Sequence, residues 1–395
     1  MTGLRLALVT RQFWPRLGGA ESLLAGLAAE LLAQGARPTI VTARWDAAWP
    51  RRLWHRDVPV VRLPQPRARY WGTWRYMAAL GGWLRRQRGQ VDLVCVSMLK
   101  HDAYVAVGQR IALGVPVVLR AEGGGQTGDC AWQRQARCGG RIRARCRRAD
   151  ALVAPSRAIA SELEGAGYAA ERIHVIANGV QLPEPLAPAD RQAARARLLG
   201  AALHDPPSLA RPLVIYAGRL HPHKGLDDLL AAWPQVLAAL PTACLVLVGE
   251  GPHRGPLEQR IARSALASSV HLRGALPDAA RLLPAADLFV LPSYEEGMSL
   301  ALLEAMAGEL PVVATEIPGN RAVVEHGRHG LLVPPGEPSA LAATVAGLLA
   351  DRDLARRLGQ AARQRVREQF LLSQSARRHL ELFQRLVRER VPGRS

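Results

Sequence analysis

The sequence has few cysteines, few aromatic residues and fewer acidic than basic side chains. Its 395 residues include five cysteines, and 5% are Phe, Trp or Tyr. Because the cysteines are odd in number and scattered, they exclude a disulfide framework and favour a reducing, cytoplasmic compartment. They form no CxxC pair and have no clustered histidines beside them, so we expect no metal site. The five positions are Cys95, Cys130, Cys138, Cys146 and Cys244.

An uninterrupted apolar stretch that could cross a bilayer is also lacking. Residues 229–249 carry no charge and reach the required length. However, Pro234 and Pro241 interrupt this stretch, and its two parts have the patterns of a helix and a strand. We therefore expect no membrane span there. Residues 1–10 are too short and too strand-like for a secretory signal.

Size and charge narrow the class of protein. At 42.8 kDa the chain suits two domains of about 150–200 residues each. Hydrophobic residues make up 49% and charged residues 22%, which excludes a disordered or fibrous chain. The 52 Lys and Arg residues against 33 Asp and Glu give a net charge of +19. Such an excess predicts an anionic partner: nucleic acid, an acidic membrane face or a phosphorylated substrate.

Short apolar runs alternate with helical patterns through both halves of the chain. Near-continuous Val, Ile and Leu in these runs is typical of parallel strands buried on both faces. The predicted strands are residues 4–9, 38–42, 58–63, 91–97, 115–119, 151–154, 173–176, 213–217, 244–248, 270–273, 287–291, 311–314 and 330–333. The sequence therefore predicts an α/β protein with two doubly wound, Rossmann-like domains facing across a cleft, with ligands at the carboxyl ends of the strands.

A proline-rich segment separates the two halves. Residues 180–212 contain six prolines and no strand pattern, with a short Arg- and Ala-rich helix inside. We place the first domain at residues 1–185 and the second at residues 186–372. A final amphipathic helix, within residues 373–395, is predicted to pack back on the first domain.

Two cations follow the first predicted strand of the second half. Gly218 permits a tight exit from the strand, and Arg219 and Lys224 follow it. A helix beginning near Leu226 would add free backbone N–H groups and the positive end of its dipole. These features fit a diphosphate site. The alternative is that both cations are solvated on a surface loop.

A second loop follows the predicted strand 287–291 and carries two carboxylates. Glu296 and Gly297 lie in the loop, and the backbone from Gly297 to Leu300 would present N–H groups at a helix start. Glu304 lies on that helix among apolar residues, where a carboxylate is costly to bury without a partner in the chain or on a ligand. The alternative is that Glu304 reaches the solvent.

These two loops belong to a longer series of ordered motifs. The others are Gly18-Gly19-Ala20-Glu21 and residues 149–156, 176–180, 311–315 and 330–336. Together with residues 218–225 and the Glu296-x7-Glu304 segment, they resemble the family 4 retaining glycosyltransferases of the GT-B fold. The resemblance runs the length of the chain, and the pair of glutamates makes it specific.

The resemblance implies a role for each motif residue. Arg219 and Lys224 would bind the donor diphosphate and stabilise the departing nucleotide. Glu296 would hold hydroxyls of the donor sugar, and Glu304 would bind the ribose. Leaving-group stabilisation by side chains and helix ends implies no metal and no cofactor, and no nucleophilic residue is assigned. The remaining donor-binding positions are Gly18, Gly19, Gly218, Gly297, Met298, Ser299 and Leu300.

The sequence departs from the family pattern at two positions. Glu122 stands roughly where many members have a histidine, so we include it among the catalytic candidates as the replacement for that histidine near the reacting sugar. Ala322 stands where a glutamate is common. We interpret both as altered acceptor or sugar preference, with loss of activity as the alternative.

Arginine and tryptophan are interleaved in residues 43–90. This stretch holds eleven arginines, two acidic residues and six of the nine tryptophans of the chain. The combination suits a membrane interface, where indoles lie at the headgroup level and arginines meet anionic lipid. In the alternative interpretation the tryptophans pack in the core of the first domain under solvated arginines.

The sequence thus predicts a cytoplasmic enzyme, peripheral on the inner face of the plasma membrane. It would be a metal-independent retaining glycosyltransferase that moves a sugar from a nucleoside diphosphate sugar to a glycan or polyprenyl-linked acceptor. The expected pathway is bacterial surface polysaccharide (lipopolysaccharide, exopolysaccharide or capsule) biosynthesis. A nucleotide-sugar 2-epimerase of the same architecture is the main alternative. A basic nucleic-acid-binding protein ranks last, because no nucleic-acid module matches, and we expect no nucleic-acid partner.

Overall fold

The chain forms two compact units. One comprises Met1–Gly179 with Leu372–Ser395, and the other comprises Val180–Leu371. This division falls before the expected boundary at residue 185, because the N–H of Val180 already donates to the carbonyl of Phe370 at 2.9 Å within the second unit. The structure, a computed structural model, describes residues 3–16, 18–66, 71–200 and 211–390. Residues 391–395 of the expected final helix lie outside this set.

Each unit is built on one sheet, and each predicted strand overlaps one that is found. The described strands are Arg5–Val9 (β1), Arg37–Arg44 (β2), Arg52–His55 (β3), Val58–Pro64 (β4), Leu93–Ser97 (β5), Val117–Arg120 (β6), Ala151–Ala154 (β7), Ile173–Val175 (β8), Leu213–Ala217 (β9), Cys244–Val248 (β10), Val270–Gly274 (β11), Leu288–Leu291 (β12), Val312–Thr315 (β13) and Leu331–Val333 (β14). The strand orders are β3-β4-β2-β1-β5-β6-β7-β8 and β11-β10-β9-β12-β13-β14. Both sheets are parallel except for the β3–β4 pair. The GT-B-type prediction of two Rossmann-like domains is therefore confirmed for each unit.

The antiparallel strand β3 was missed by the sequence analysis. It has four residues, and the side chains of Arg52 and Trp54 are exposed, so it lacks the apolar run of the buried strands. A two-residue turn joins it to β4, with Arg56 at φ 51° and Asp57 at φ 60°. Two left-handed residues are typical of a type I′ hairpin, a turn that the Arg-Asp sequence does not announce.

Helices cover both faces of each sheet. They are Gly19–Ala33 (α1), Trp71–Arg86 (α2), His101–Leu113 (α3), Asp129–Gln135 (α4), Gly139–Cys146 (α5), Arg157–Gly165 (α6), Pro188–Leu199 (α7), Leu226–Ala239 (α8), Arg254–Ala262 (α9), Ala279–Leu282 (α10), Leu300–Ala307 (α11), Pro318–Arg321 (α12), Pro338–Ala350 (α13), Arg352–Gln369 (α14) and Leu372–Arg390 (α15). Among the described helices, none has the length and hydropathy needed to cross a bilayer.

The last helix, α15, packs on the first unit. Its Leu382 and Phe383 are buried in the same apolar cluster as Leu24 on α1. A Cβ atom at Gly26 would lie 2.8 Å from Cδ2 of Leu372, so a larger residue there would require the side chain of Leu372 to move. Because these contacts join the two ends of the chain, the second unit is an insertion in the first.

The segment without charge at residues 229–249 is a buried helix and strand. Helix α8 contains Pro234, which removes one helical hydrogen bond. The helix persists because it buries one apolar face, including Leu229, Leu230 and Trp233. Strand β10 follows and is buried throughout. Burial in a parallel sheet therefore explains the lack of charge.

Candidate active site

Loops from neighbouring strands of the second sheet converge at its carboxyl edge. Gly225 has φ 65°, and a Cβ atom there would lie 1.9 Å from the carbonyl oxygen of Pro292. The N–H of Tyr294 donates to the carbonyl of His223 at 2.9 Å. Parallel strands end at the same edge, so the loop after β9 packs directly on the loop after β12. Glycine adopts this left-handed φ without strain and has no Cβ, so it fits at position 225. Any other residue there would force the two loops to move.

An ion pair joins these two loops. Nζ of Lys224 lies 2.6 Å from Oε1 of Glu296, and the hydroxyl of Ser293 donates to the same oxygen at 2.8 Å. The hydroxyl of Thr315, at the end of β13, donates to the carbonyl of Ser293. Nδ2 of Asn320 in turn donates to the carbonyl of Thr315 at 2.9 Å. The carboxylate of Glu296 is thus held at a fixed position by three successive strand ends.

Arg219 lies on the same loop as Lys224. Its side chain is exposed and has no ion pair with any described residue. Burial lowers the pKa of His221, and the charges of His223, Arg219 and Lys224 lower it further. His221 stacks on His223 with ring centroids 5.1 Å apart. These effects place both cations near one imidazole, so the loop after β9 concentrates positive charge.

Part of the start of α11 interacts with other groups of the chain. The hydroxyl of Ser299 accepts from the N–H of Leu302 at 3.3 Å and caps the helix. Gly297 and Met298 are buried and interact with other groups of the chain, and the role of their N–H groups toward a ligand stays a prediction. In the first turn, the N–H groups of Leu300 and its successor have no intrahelical acceptor.

Glu304 carries an unusual carboxyl group. It lies on α11 among apolar side chains, and burial raises its pKa to about 7. No described residue donates a hydrogen bond to this carboxyl or provides a counter-charge. The residue as a whole is half-buried, so the alternative of a glutamate that reaches the solvent edge stays open. A ligand hydroxyl is the kind of donor that would restore the lost hydrogen bonds.

In the first unit, Glu122 lies in a dense polar network after β6. Its Oε1 accepts from the hydroxyl of Ser97 at 2.5 Å and from Nη1 of Arg120 at 2.9 Å. Arg120 is 1% exposed and also donates to Oδ1 of Asn178 at 2.6 Å. Burial raises the pKa of Glu122 to about 7, against the opposing effects of Arg120 and Ser97. The negative charge of Glu21 raises this pKa too, which places the start of α1 near Glu122.

The two glycines before α1 form part of a helix cap. The N–H of Gly18 donates to Oε2 of Glu21 at 2.9 Å. Gly19 is the first residue of α1. A Cβ atom at Gly18 would lie 2.8 Å from that carboxylate. The N–H of Gly18 is therefore bonded within the chain, and donor binding at Gly18 and Gly19 stays a prediction.

The tryptophans of residues 43–90 divide into two groups. Trp83 is buried in the core, and Trp49 lies under the guanidinium of Arg62, 4.9 Å from its ring centroid. In contrast, Trp71 and Trp74 on α2 are 57% and 60% exposed and stack on each other with centroids 5.0 Å apart. The core-packing and the surface interpretations each describe part of this stretch.

The sequence analysis missed a polar cluster at the carboxyl ends of β1 and β5. Arg11 follows β1, and Lys100, His101 and Asp102 follow β5. Charged residues immediately after buried strands were the available signal. It also missed the loop after β10, where Gly249 touches the carbonyl of Gly218.

Comparisons with known proteins match each of the two units to a glycosyltransferase family model. The model of Glycosyltransferase Family 4 matches residues 17–183, and that of Glycosyl transferases group 1 matches residues 211–351. The D-inositol 3-phosphate glycosyltransferase of Segniliparus rotundus is 37% identical over 202 residues, which are 49% of this chain and 43% of that protein. Matches of this kind span about half the length of the curated relatives.

Solved structures share the fold over nearly the whole chain. Sucrose-phosphate synthase from Thermosynechococcus elongatus has a TM-score of 0.81 at 24% identity, covering 97% of this chain and 99% of its own. HepE from Anabaena, in complex with UDP-glucose, has a TM-score of 0.80 at 21% identity, covering 97% and 100%. At these identities the likeness concerns the fold.

Proposed function

The chain belongs to the family 4 glycosyltransferases and has the GT-B fold, and from this premise we propose that it is a retaining hexosyltransferase. It moves one sugar from a nucleoside diphosphate sugar to a glycan or lipid-linked acceptor. The complex of the HepE neighbour with UDP-glucose supports a nucleotide sugar as donor. The name of the Segniliparus rotundus relative supports transfer as the reaction.

The observation that carries this proposal is the ion pair of Lys224 and Glu296 beside Arg219. A lysine and a carboxylate at 2.6 Å supply a cation for phosphate and an acceptor for sugar hydroxyls at adjacent positions. When the donor binds, the ammonium of Lys224 meets phosphate oxygens together with Arg219. The carboxylate of Glu296, still held by Ser293, accepts hydrogen bonds from the sugar.

The reaction exchanges one bond at the anomeric carbon. The bond from C1 to the phosphate oxygen breaks, and its electron pair leaves with the diphosphate. The acceptor hydroxyl forms the new bond on the same face, and its proton passes to a phosphate oxygen. Arg219, Lys224 and the start of α11 stabilise the charge of the leaving group, so the proposal includes neither a metal nor a cofactor.

We assign a role to one further carboxyl group in each unit. Glu304 accepts the ribose hydroxyls, which give its poorly solvated carboxyl the donors that the chain does not provide. Glu122 takes the position near the reacting sugar at which many family members have a histidine. Ser97 and Arg120 fix its orientation through their hydrogen bonds to Oε1.

We further propose that the enzyme works at an anionic membrane surface in surface-polysaccharide assembly. The stacked rings of Trp71 and Trp74 are exposed on α2, and the sequence of residues 43–90 carries eleven arginines against two acidic residues. Indoles favour the headgroup level, and each nearby arginine adds about 1 kcal/mol of attraction to anionic lipid.

A transfer assay with labelled nucleotide sugars tests the reaction. The wild-type protein is incubated with each donor, with and without a polyprenyl-linked saccharide acceptor, and products are separated by chromatography. Transfer that needs the acceptor is the expected result. An epimerised nucleotide sugar formed without acceptor would instead identify the isomerase, and no product with any donor would contradict both.

Vesicle sedimentation tests the membrane proposal. The wild-type protein should bind vesicles containing anionic lipid at low salt and leave them at high salt. The Trp71→Ala/Trp74→Ala variant should bind more weakly, while Trp54→Ala, which removes an exposed indole of β3 outside the stacked pair, serves as the matched aromatic control. Failure of the wild type to bind at low salt would reject the proposal.

A further inference from the structure

Lysine is almost absent from this basic chain. Of its 52 basic residues, only Lys100 and Lys224 are lysines. Lys224 lies in the proposed donor site, and Lys100 lies in the first unit, between β5 and α3. An ammonium is a compact, mobile point charge, whereas a guanidinium is a planar fork. Lys100 and Lys224 are therefore the two compact ammonium charges in a chain that otherwise uses arginine.

The ammonium of Lys100 forms no ion pair with a described carboxylate, although its charge acts on Asp102 at longer range. It lies over the ring of Trp132, 5.6 Å from the centroid, and the residue is half-buried. No hydrogen bond or ion pair of its Nζ joins it to another described residue. A charge in this setting has lost part of its hydration without a protein carboxylate in exchange.

Arg11 is a second cation at the same edge. Strands β1 and β5 are neighbours, so the residues after them lie side by side. Nη2 of Arg11 donates to Oε1 of Gln65 at 3.0 Å and to the hydroxyl of Thr73 at 2.8 Å, both neutral groups. Its buried Nε has no partner. The guanidinium also lies 5.1 Å from the ring centroid of Tyr76.

His101 and Asp102 lie between the two cations. Burial lowers the pKa of His101, and the charges of Arg11 and Lys100 lower it further. Asp102 is 3% exposed, its Oδ2 accepts from the hydroxyl of Tyr76 at 3.2 Å, and its Oδ1 has no partner. Burial raises the pKa of Asp102 to about 6, despite the same two cations. Asp129 is a second carboxylate at this edge, and its Oδ1 accepts from the N–H of Leu99 at 2.9 Å. Neither acid forms a hydrogen bond or ion pair with Nζ of Lys100 or with the Arg11 guanidinium among the described contacts.

We propose that Arg11 and Lys100 bind an anionic, phosphate-like group carried by the acceptor saccharide, whose sugar ring packs against Trp132. This inference rests on the proposed transferase function and adds the acceptor's charge to it. An anion replaces the missing counter-charge of both cations at once. The imidazole of His101 and the unpartnered Oδ1 of Asp102 belong to the same cluster and would bind hydroxyls of the sugar.

The same cluster borders the exposed indole pair. Thr73, which accepts from Arg11, lies between Trp71 and Trp74 in the first turn of α2. The lipid chain of a diphosphate bound at Arg11 would therefore lie along the stacked indole rings. The anionic group has two possible sources: the diphosphate of a lipid carrier, or the phosphate of a soluble saccharide.

Calorimetry with inorganic pyrophosphate tests the anion site on the full-length chain. The background is Lys224→Met, so that the proposed donor site contributes little binding. Adding Lys100→Met or Arg11→Gln should weaken pyrophosphate binding about tenfold or more, the loss expected for one charged hydrogen bond. Arg37→Gln removes the same charge from the amino end of β2 and should change binding less than about twofold.

The Lys100→Met variant keeps the test decisive, because its ammonium bonds no described protein group and its removal leaves the packing intact. Equal pyrophosphate binding in the background and in this variant would overturn the proposal. Failure of the proposed donor function is recognised separately. In that case nucleoside diphosphates would not raise the melting temperature of the wild-type protein, whatever pyrophosphate does.

Two further probes distinguish the sources. If the acceptor is lipid-linked, farnesyl diphosphate should bind more tightly than glucose 1-phosphate, and Trp71→Ala should remove that advantage. If it is soluble, glucose 1-phosphate should bind at least as tightly, with no effect of Trp71→Ala. Either pattern supports the anion site, provided that Lys100→Met weakens it. Binding no tighter than that of neutral methyl α-glucoside would contradict it.

Discussion

The lysine at the carboxyl edge of the second sheet is paired with a carboxylate, whereas the lysine at the corresponding edge of the first sheet is not. Lys224 and Glu296 are 2.6 Å apart, but Nζ of Lys100 forms no ion pair with a described residue and lies over the ring of Trp132. In the first unit the ion pair is instead the buried one of Arg120 and Glu122. Each edge thus combines one internally compensated pair with charges that lack a partner among the described residues.

This difference distinguishes charged side chains that stabilise the structure of a site from charged side chains that are available to bind a ligand. A pair such as Arg120 and Glu122 is costly to break, because each charge is buried. Cations such as Arg219 and Lys100 form no ion pair with a described residue. They can therefore bind a ligand anion without breaking an ion pair of the protein. Four measurements sharpen or break this comparison.

The largest expected effect is on stability, in the first unit. Arg120→Met leaves the carboxyl of Glu122 without its cation and Asn178 without its donor. Removing one partner of a buried pair costs about 3–5 kcal/mol of unfolding free energy. Urea unfolding should show this loss, with Arg157→Met on the exposed start of α6 nearly unchanged. A loss below about 1 kcal/mol would mean that Arg120 does not compensate Glu122.

The next effect concerns transfer in the second unit. Lys224→Met should lower the rate of sugar transfer by about 10²–10³, as for loss of one preorganised charge-stabilising donor. The rate is measured with labelled donor at saturating acceptor. Arg281→Gln, on an exposed position of α10, is the matched charge control. Equal rates for the wild type and Lys224→Met would separate this lysine from the chemistry.

A third measurement uses the raised pKa of Glu304. The folded protein binds its proton more tightly than the unfolded chain, so stability from this group is full below pH 4.5 and is lost as the pH rises toward about 7. Glu304→Gln should therefore gain about 3 kcal/mol relative to the wild type between pH 4.5 and pH 8. Urea unfolding at both values, with exposed Glu337→Gln as control, checks this. A pH-independent difference would contradict it.

The smallest effect concerns the link between the two loops of the second unit. The hydroxyl of Tyr294 donates to Oδ2 of Asp228 at 2.5 Å, but the ring is 42% exposed. Tyr294→Phe should cost about 1 kcal/mol or less, because exposed contacts compete with water. Thermal unfolding measures this directly. A much larger loss would mean that this contact, rather than the ion pair of Lys224, holds the loops together.

The same comparison explains what the sequence could predict. The second-unit site is made by segments that are compact in sequence, residues 218–225 and 292–304, and both follow strongly apolar strands. The alternation of strand and helix patterns and the residue types of these two loops therefore predicted this candidate site. Its internal ion pair could not be foreseen, because the contact of Lys224 with Glu296 depends on the glycine approach at position 225.

The first-unit cluster was not predicted, because it is assembled from distant segments. Arg11 meets Thr73 across 62 residues, and the unpartnered state of Lys100 depends on what surrounds it in space. Strand β3 was missed for a related reason: its stability comes from pairing with β4, not from an apolar pattern of its own. Local patterns identify elements, but not which charges they leave without partners.

A crystal structure of the protein with a bound nucleoside diphosphate tests the central claim most directly. We predict diphosphate oxygens within about 2.7–3.2 Å of Nζ of Lys224 and of the Arg219 guanidinium, with ribose hydroxyls on Glu304. A nucleotide bound elsewhere, with the pair of Lys224 and Glu296 unchanged and Glu304 still without a donor, would contradict the account.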